Sequence, residues 1–80
     1  MKLIEKEETV RNNLINLRLQ LGFTQTEFAK LFNKDRQYQF NIENGKRKGS
    51  AEYWLAIQKK FNLANEATLK LMEVSSNETT

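Results

Sequence analysis

At 80 residues the chain has room for one domain, and a chain of this size buries only about 60% of the surface its unfolded form exposes. There is no Cys and no His, so disulfides are excluded and a zinc site lacks its usual ligands, which leaves self-association as the expected supplement to a small core. The net charge of +3, with a pI near 9.3, is too small by itself to name a partner, and no apolar run nears the roughly 20 residues that span a bilayer.

There are no prolines, few glycines and no alternating Val/Ile/Thr segments, so the periodicity is helical throughout. The opening Met1-Lys2-Leu3-Ile4-Glu5 is followed at once by further acids, which argues against a signal peptide; with no Cys, a cytoplasmic protein is expected. Val10, Leu14, Leu17 and Leu21 mark one face of a first helix. Leu3 and Ile4 either extend it backward or form a loose arm. Gly22 stops it. Thr24-Gln25-Thr26-Glu27 has the spacing of a capping box, with Phe23 and Phe28 placed as a hydrophobic staple. The second helix is expected to run to about Phe32 and to bury Phe28, Ala29 and Phe32.

After the turn Asn33-Lys34-Asp35, Asp35 is a suitable N-cap for a third helix from Arg36 to about Asn44. Gly45 ends that helix, and Lys46-Arg47-Lys48-Gly49 forms a basic loop. Ser50 can cap a fourth helix whose Trp54, Ile57 and Phe61 face the core. Asn65 can cap a fifth, from Glu66 to about Val74. The domain is expected over 1–74, with 75–80 as a flexible tail.

Charge is unevenly spread along these elements. Residues 34–60 hold seven basic against three acidic side chains, whereas residues 61–80 hold one against three. A positive field in the middle of the chain suits a polyanion, although a merely solvated charge run has the same composition. The fifth helix carries two apolar stripes, Ala67-Leu71-Val74 and Leu69-Met72. The second stripe exceeds what one core face needs and points either to a homodimer or to packing on helix 1.

The stretch Leu17-Arg18-Leu19-Gln20-Leu21-Gly22-Phe23-Thr24-Gln25-Thr26-Glu27-Phe28-Ala29-Lys30-Leu31-Phe32 leads without a gap to Ile42-Glu43-Asn44-Gly45-Lys46-Arg47-Lys48. In this spacing the sequence, from Leu17 to Leu63, resembles the lambda-repressor-like (Xre-type) helix-turn-helix regulators. The resemblance implies an all-α, five-helix fold with the helix-turn-helix at helices 2 and 3. It implies a double-stranded DNA partner, with helix 3 in the major groove, and a repressor is the expected role. Arg36, Gln37 and Asn41 are then the base-contacting candidates, because Arg grips guanine while Gln and Asn grip adenine. Gln25, Asn44, Lys46, Arg47 and Lys48 are the phosphate-contacting candidates. Gln25, at the N-terminal end of helix 2, also braces a recognition-helix side chain in similar proteins. Arg18 is expected to pair with Glu43, joining helix 1 to the end of helix 3. Related proteins dimerise through the C-terminal region to read two half-sites roughly 34 Å apart.

Two positions depart from the family pattern. Lys34 in the turn and Gln39 on the third helix stand where apolar residues are usual. A buried Gln needs hydrogen-bond partners, so the alternative is that Tyr38 or Phe40 fills the core and the helix is rotated. Phe40 itself faces either a thymine methyl or the core. An enzyme is not expected, for want of a nucleophile with a base, a phosphate loop or a carboxylate cluster. No cofactor, metal or small-molecule ligand is expected. The competing function is a protein-interaction module that kept this fold and lost DNA binding, a reading that Gln39 and Phe40 on the third helix would support.

Overall fold

The computed structural model describes residues 9–76. Five helices follow one another: α1 (Asn12–Gln20), α2 (Gln25–Leu31), α3 (Arg36–Glu43), α4 (Ala51–Lys60) and α5 (Asn65–Met72). Two-residue strands flank them, β1 (Thr9–Val10) and β2 (Ser75–Ser76), paired antiparallel with Val10 opposite Ser75. Leu3 and Ile4 lie outside the described residues.

The helix boundaries follow from local chemistry. At α2 the capping box is complete: Glu27 N–H donates to Thr24 Oγ1 at 3.1 Å, and Thr24 N–H donates to Glu27 Oε1 at 3.0 Å. The Phe23 and Phe28 rings meet edge to face at 5.9 Å, which completes the staple. Asp35 and Ser50 cap α3 and α4 in the same manner, accepting from Tyr38 N–H and Tyr53 N–H. Helices α1 to α4 each end on a left-handed residue, Gly22, Asn33, Gly45 and Asn62. In each case the next residue donates back to the carbonyl five positions earlier, for example Phe23 N–H to Arg18 O and Lys46 N–H to Asn41 O.

The C-terminal part departs from the sequence reading. The N-cap of α5 is Ala64, without a side-chain bond. Asn65 instead begins the helix, and its Oδ1 accepts from Gln58 Nε2 at 2.6 Å. The helix stops at Met72 rather than Val74, and Val74 is exposed. Ser75 and Ser76, expected in a flexible tail, are paired with β1; residues 77–80 lie outside the described residues. At the other end, Val10 belongs to β1 rather than to α1, and Leu21 is largely exposed beyond the helix.

The core draws on every helix: Leu14, Phe28, Phe32, Ile42, Tyr53, Trp54, Ile57 and Leu71. Aromatic rings dominate it, with Phe28 against Phe32 at 5.2 Å and Tyr53 against Trp54 at 5.0 Å. Such pairs add about 0.5–1.5 kcal/mol each beyond the area they bury. Tyr53, which the periodicity of α4 does not single out, is one of the most buried side chains. Packing α2 against α3, and α1 against α5, leaves one side of α3 free of the core.

Candidate nucleic-acid interface

The rotation of α3 is set by Gln39, Ile42 and Glu43, all buried. At about 100° per residue these three point inward together, which turns Gln37, Asn41 and Asn44 to the opposite side and leaves Tyr38 and Phe40 on the flanks. Gln39 is therefore buried in its own right and the rotated alternative does not occur. Its partners explain why: Nε2 donates to Glu43 Oε2 at 2.9 Å, and Oε1 accepts from the Tyr53 hydroxyl at 2.6 Å. Burial pushes the Tyr53 phenol well above its ordinary value, the bond to Gln39 opposing and the nearby Glu43 and Tyr38 adding to the rise. The hydroxyl is thus held in its donating, neutral form.

Glu43 is the hub on the buried side of α3. Arg18 Nε donates to Oε2 at 2.6 Å and Arg18 Nη2 to Oε1 at 3.2 Å, a two-pronged ion pair between α1 and the end of α3. Gln25 Nε2 adds a bond to Oε1 at 2.9 Å, and Gln39 fills Oε2. The sequence-based pairing of Arg18 with Glu43 is present, and Gln25 braces it from the first turn of α2. The Gln25 amide is thereby turned inward, toward α3.

Outward, Arg36 and Gln37 are exposed and Asn41 is half-buried. Gln37 Nε2 donates to Asn41 Oδ1 at 3.3 Å, one turn along the helix. Asn44 Nδ2 donates to the Phe40 carbonyl at 2.8 Å, so this side chain lies along its own helix. Both flanking rings carry cations. Lys34 and Arg47 lie over Tyr38 at 4.7 and 5.3 Å, while Arg36 and Lys46 lie over Phe40 at 5.8 and 5.6 Å. The Lys34 departure is accommodated in this way: the residue is half-buried and its ammonium sits on an aromatic face.

The basic loop is tied down by its backbone. Lys46 and Arg47 N–H both donate to the Asn41 carbonyl, at 2.9 and 3.2 Å. The Lys48 carbonyl accepts from Trp54 Nε1 at 2.9 Å. Gly49 is pressed against the same indole: a Cβ at this position, with φ +81°, would lie 2.7 Å from Trp54 Nε1. With the backbone turned inward, the side chains of Lys46, Arg47 and Lys48 are exposed.

Sequence reasoning missed Arg11. This residue is only 5% exposed. Its Nη1 donates to the carbonyls of Ile42 at 2.6 Å and Arg47 at 2.8 Å, its Nε donates to the Met72 carbonyl at 3.0 Å, and its guanidinium lies 5.7 Å from the Trp54 ring centre. Burial lowers its pKa, with Tyr53 pulling the other way, yet an arginine keeps its charge under such conditions. The carbonyl ends of α3 and α5 supply the compensating negative potential. No sequence signal marks this residue, because all its hydrogen-bond acceptors are backbone atoms that come together only in the fold.

Two helices joined by a tight turn, the second with a polar outer face beside an exposed basic loop, form a helix-turn-helix of the kind that DNA-binding regulators carry. A family model described as "Helix-turn-helix" matches residues 14–64. The chain belongs to that family, the lambda-repressor/Xre-like helix-turn-helix proteins, which are DNA-binding regulators. Neither curated proteins nor solved structures give a match to the chain. Among the described residues no helix is long and apolar enough to cross a membrane.

Proposed function

We propose that the protein is a sequence-specific transcriptional repressor of the cytoplasm that inserts α3 into the major groove of double-stranded DNA. The observation that carries this reading is the continuity of one surface. The exposed face of α3, with Arg36, Gln37 and Asn41, runs directly into Lys46, Arg47 and Lys48. Arg36 and Gln37 open the helix just after its cap, where a recognition helix meets base edges. Asn41 lies one turn further along, bonded to Gln37, and the pair can present an amide edge to adenine. Lys46, Arg47 and Lys48 contact phosphates, as do Gln25 and Asn44 through the second N–H that each side-chain amide carries.

Binding as a homodimer completes the reading. Leu55 and Leu69 are 54% and 60% exposed. They line a shallow groove of about 480 Å³ between α4 and α5, floored by Trp54 and Met72. A second copy covering this groove would supply the burial that an 80-residue chain lacks.

The interaction-module alternative loses one of its two supports. Gln39 is buried in a satisfied network rather than displayed, and Phe40 is half-buried with Arg36 and Lys46 over its ring. The test is selection of bound duplexes from a random DNA pool, followed by a salt titration. A recovered consensus, bound with an affinity that falls steeply with salt, is expected. A pool that stays random, with no salt-dependent retention, would contradict the reading.

A further inference from the structure

Arg11 and Met72 both lie outside the family-matched segment 14–64, yet they meet against the basic loop. The loop has two carbonyls facing inward, and each is held by a different side chain. Arg11 Nη1 holds Arg47 O and Trp54 Nε1 holds Lys48 O. Arg11 also stands over Trp54, so the two holders brace each other. The same Nη1 donates to Ile42 O, one residue before the Arg11 backbone N–H reaches Glu43 O at 2.8 Å. The guanidinium therefore fixes the loop relative to the last turn of the recognition helix, rather than merely filling space. Its Nε bond to Met72 O ties that junction to the end of α5.

We propose that Arg11 is a positioning residue for DNA binding, which holds the Arg47 carbonyl inward so that Lys46, Arg47 and Lys48 are presented together to the phosphate backbone in fixed register with α3. The proposal rests on the DNA-binding reading above and adds to it a residue outside the helix-turn-helix. Its physical basis is preorganisation. A loop whose backbone is already ordered does not lose that freedom when it meets the duplex. Lysine cannot substitute, because one ammonium cannot reproduce the planar fork that reaches Ile42 O, Arg47 O and Met72 O at once.

The test compares the full-length wild type, Arg11→Lys and Trp54→Phe on a short random-sequence DNA duplex across a salt series. Measurements are made at a temperature where circular dichroism shows each protein folded. Arg11→Lys keeps the net charge, so a change in binding reports geometry. It is expected to bind about tenfold more weakly, with a log K against log salt slope shallower by about one unit. Trp54→Phe, which keeps a ring and removes the donor to Lys48 O, is expected to lose binding in the same way. In a protein that already carries Lys46→Ala, Arg47→Ala and Lys48→Ala, adding Arg11→Lys should change binding no further.

A folded Arg11→Lys with wild-type affinity and slope would overturn the proposal. So would an undiminished loss in the triple-alanine background, because the effect would then not run through the loop. If Arg11→Lys does not fold, Trp54→Phe and amide hydrogen exchange of the free wild type decide. Protected Lys46 and Arg47 amides are expected, and exchange at the rate of an open loop would overturn the ordered loop the proposal needs. A wild type that shows no salt-dependent DNA binding at all would overturn the DNA reading, and this proposal with it. A binding wild type with an indifferent Arg11→Lys overturns the positioning role alone.

Discussion

Replacing Arg18 by Met removes one half of the ion pair at the centre of the fold and leaves an uncharged, apolar thioether side chain in its place. Glu43 receives four N–H bonds, two from Arg18 and one each from Gln25 and Gln39. The side chains of Arg18 and Glu43 are 10% and 3% exposed, so solvent cannot take over the lost partner. Two amide donors remain, and neither carries charge. An uncompensated buried carboxylate of this kind costs about 3–5 kcal/mol. Domains of this size are stable by only about 5–15 kcal/mol in total, and about 4–8 °C of melting temperature accompanies each kcal/mol. The expected fall is therefore about 12–40 °C, read by thermal denaturation at neutral pH. The double variant Arg18→Met/Glu43→Gln should recover a large part of it, because the charge is gone while a side-chain carbonyl remains to accept from Gln39 or Gln25. A melting temperature unchanged in Arg18→Met would refute the buried pair, and a double variant no better than the single one would refute the assignment of the loss to uncompensated charge.

The raised pKa of Tyr53 makes folding sensitive to alkali. Its ordinary value is 10.0 and the folded value lies above it, so the unfolded chain releases its proton first; the stabilisation is fully present below about pH 10 and is lost as pH climbs toward the folded value. Tyr53→Phe should flatten that alkaline decline, measured as melting temperature against pH, while costing about 1–3 kcal/mol at neutral pH because Gln39 Oε1 loses its donor. Gly49→Ala should destabilise by about 1–3 kcal/mol from the left-handed backbone alone, with further loss from the contact with Trp54; an unaltered denaturant midpoint would argue against the close approach. Leu69→Glu should abolish self-association in sedimentation while leaving the fold intact, and a wild type that is strictly monomeric at tens of micromolar and binds only one half-site on DNA would remove the dimer.

Local pattern revealed whatever depends on near neighbours, and the family resemblance added the longer-range Arg18–Glu43 pair. The Thr24–Glu27 box, the Asp35 and Ser50 caps and the stops at Gly22 and Gly45 are encoded within a few residues, and each appears where its pattern lies. Gln39 was a different matter. Its hydrogen-bond partners, Glu43 on its own helix and Tyr53 fourteen residues away, become partners only once α3 has packed on α4. The apolar residue expected there is replaced by a hydrogen-bonded pair, a substitution that no local pattern reveals. Arg11 was wholly hidden for the same reason. The apolar stripe predicts α5 to about Val74, because Val74 fits the helical spacing, while the chain turns extended after Met72 and pairs Ser75 with Val10. Of the candidate interface, the basic loop and the exposed face of α3 were legible, and the family resemblance carried the inward brace of Gln25 onto α3; the aromatic seats of Lys34, Arg36, Lys46 and Arg47 were not.

The most direct test of the DNA-reading account sets Arg36→Ala and Gln37→Ala against Lys46→Ala, Arg47→Ala and Lys48→Ala, each measured on the selected site and on random duplex across a salt series. The first two should lose about 1–3 kcal/mol on the selected site and much less on random DNA. The loop variants should weaken both alike, with the salt slope shallower by about one unit each. If Arg36→Ala and Gln37→Ala lower both affinities by the same factor, the assignment of base reading to the start of α3 is contradicted.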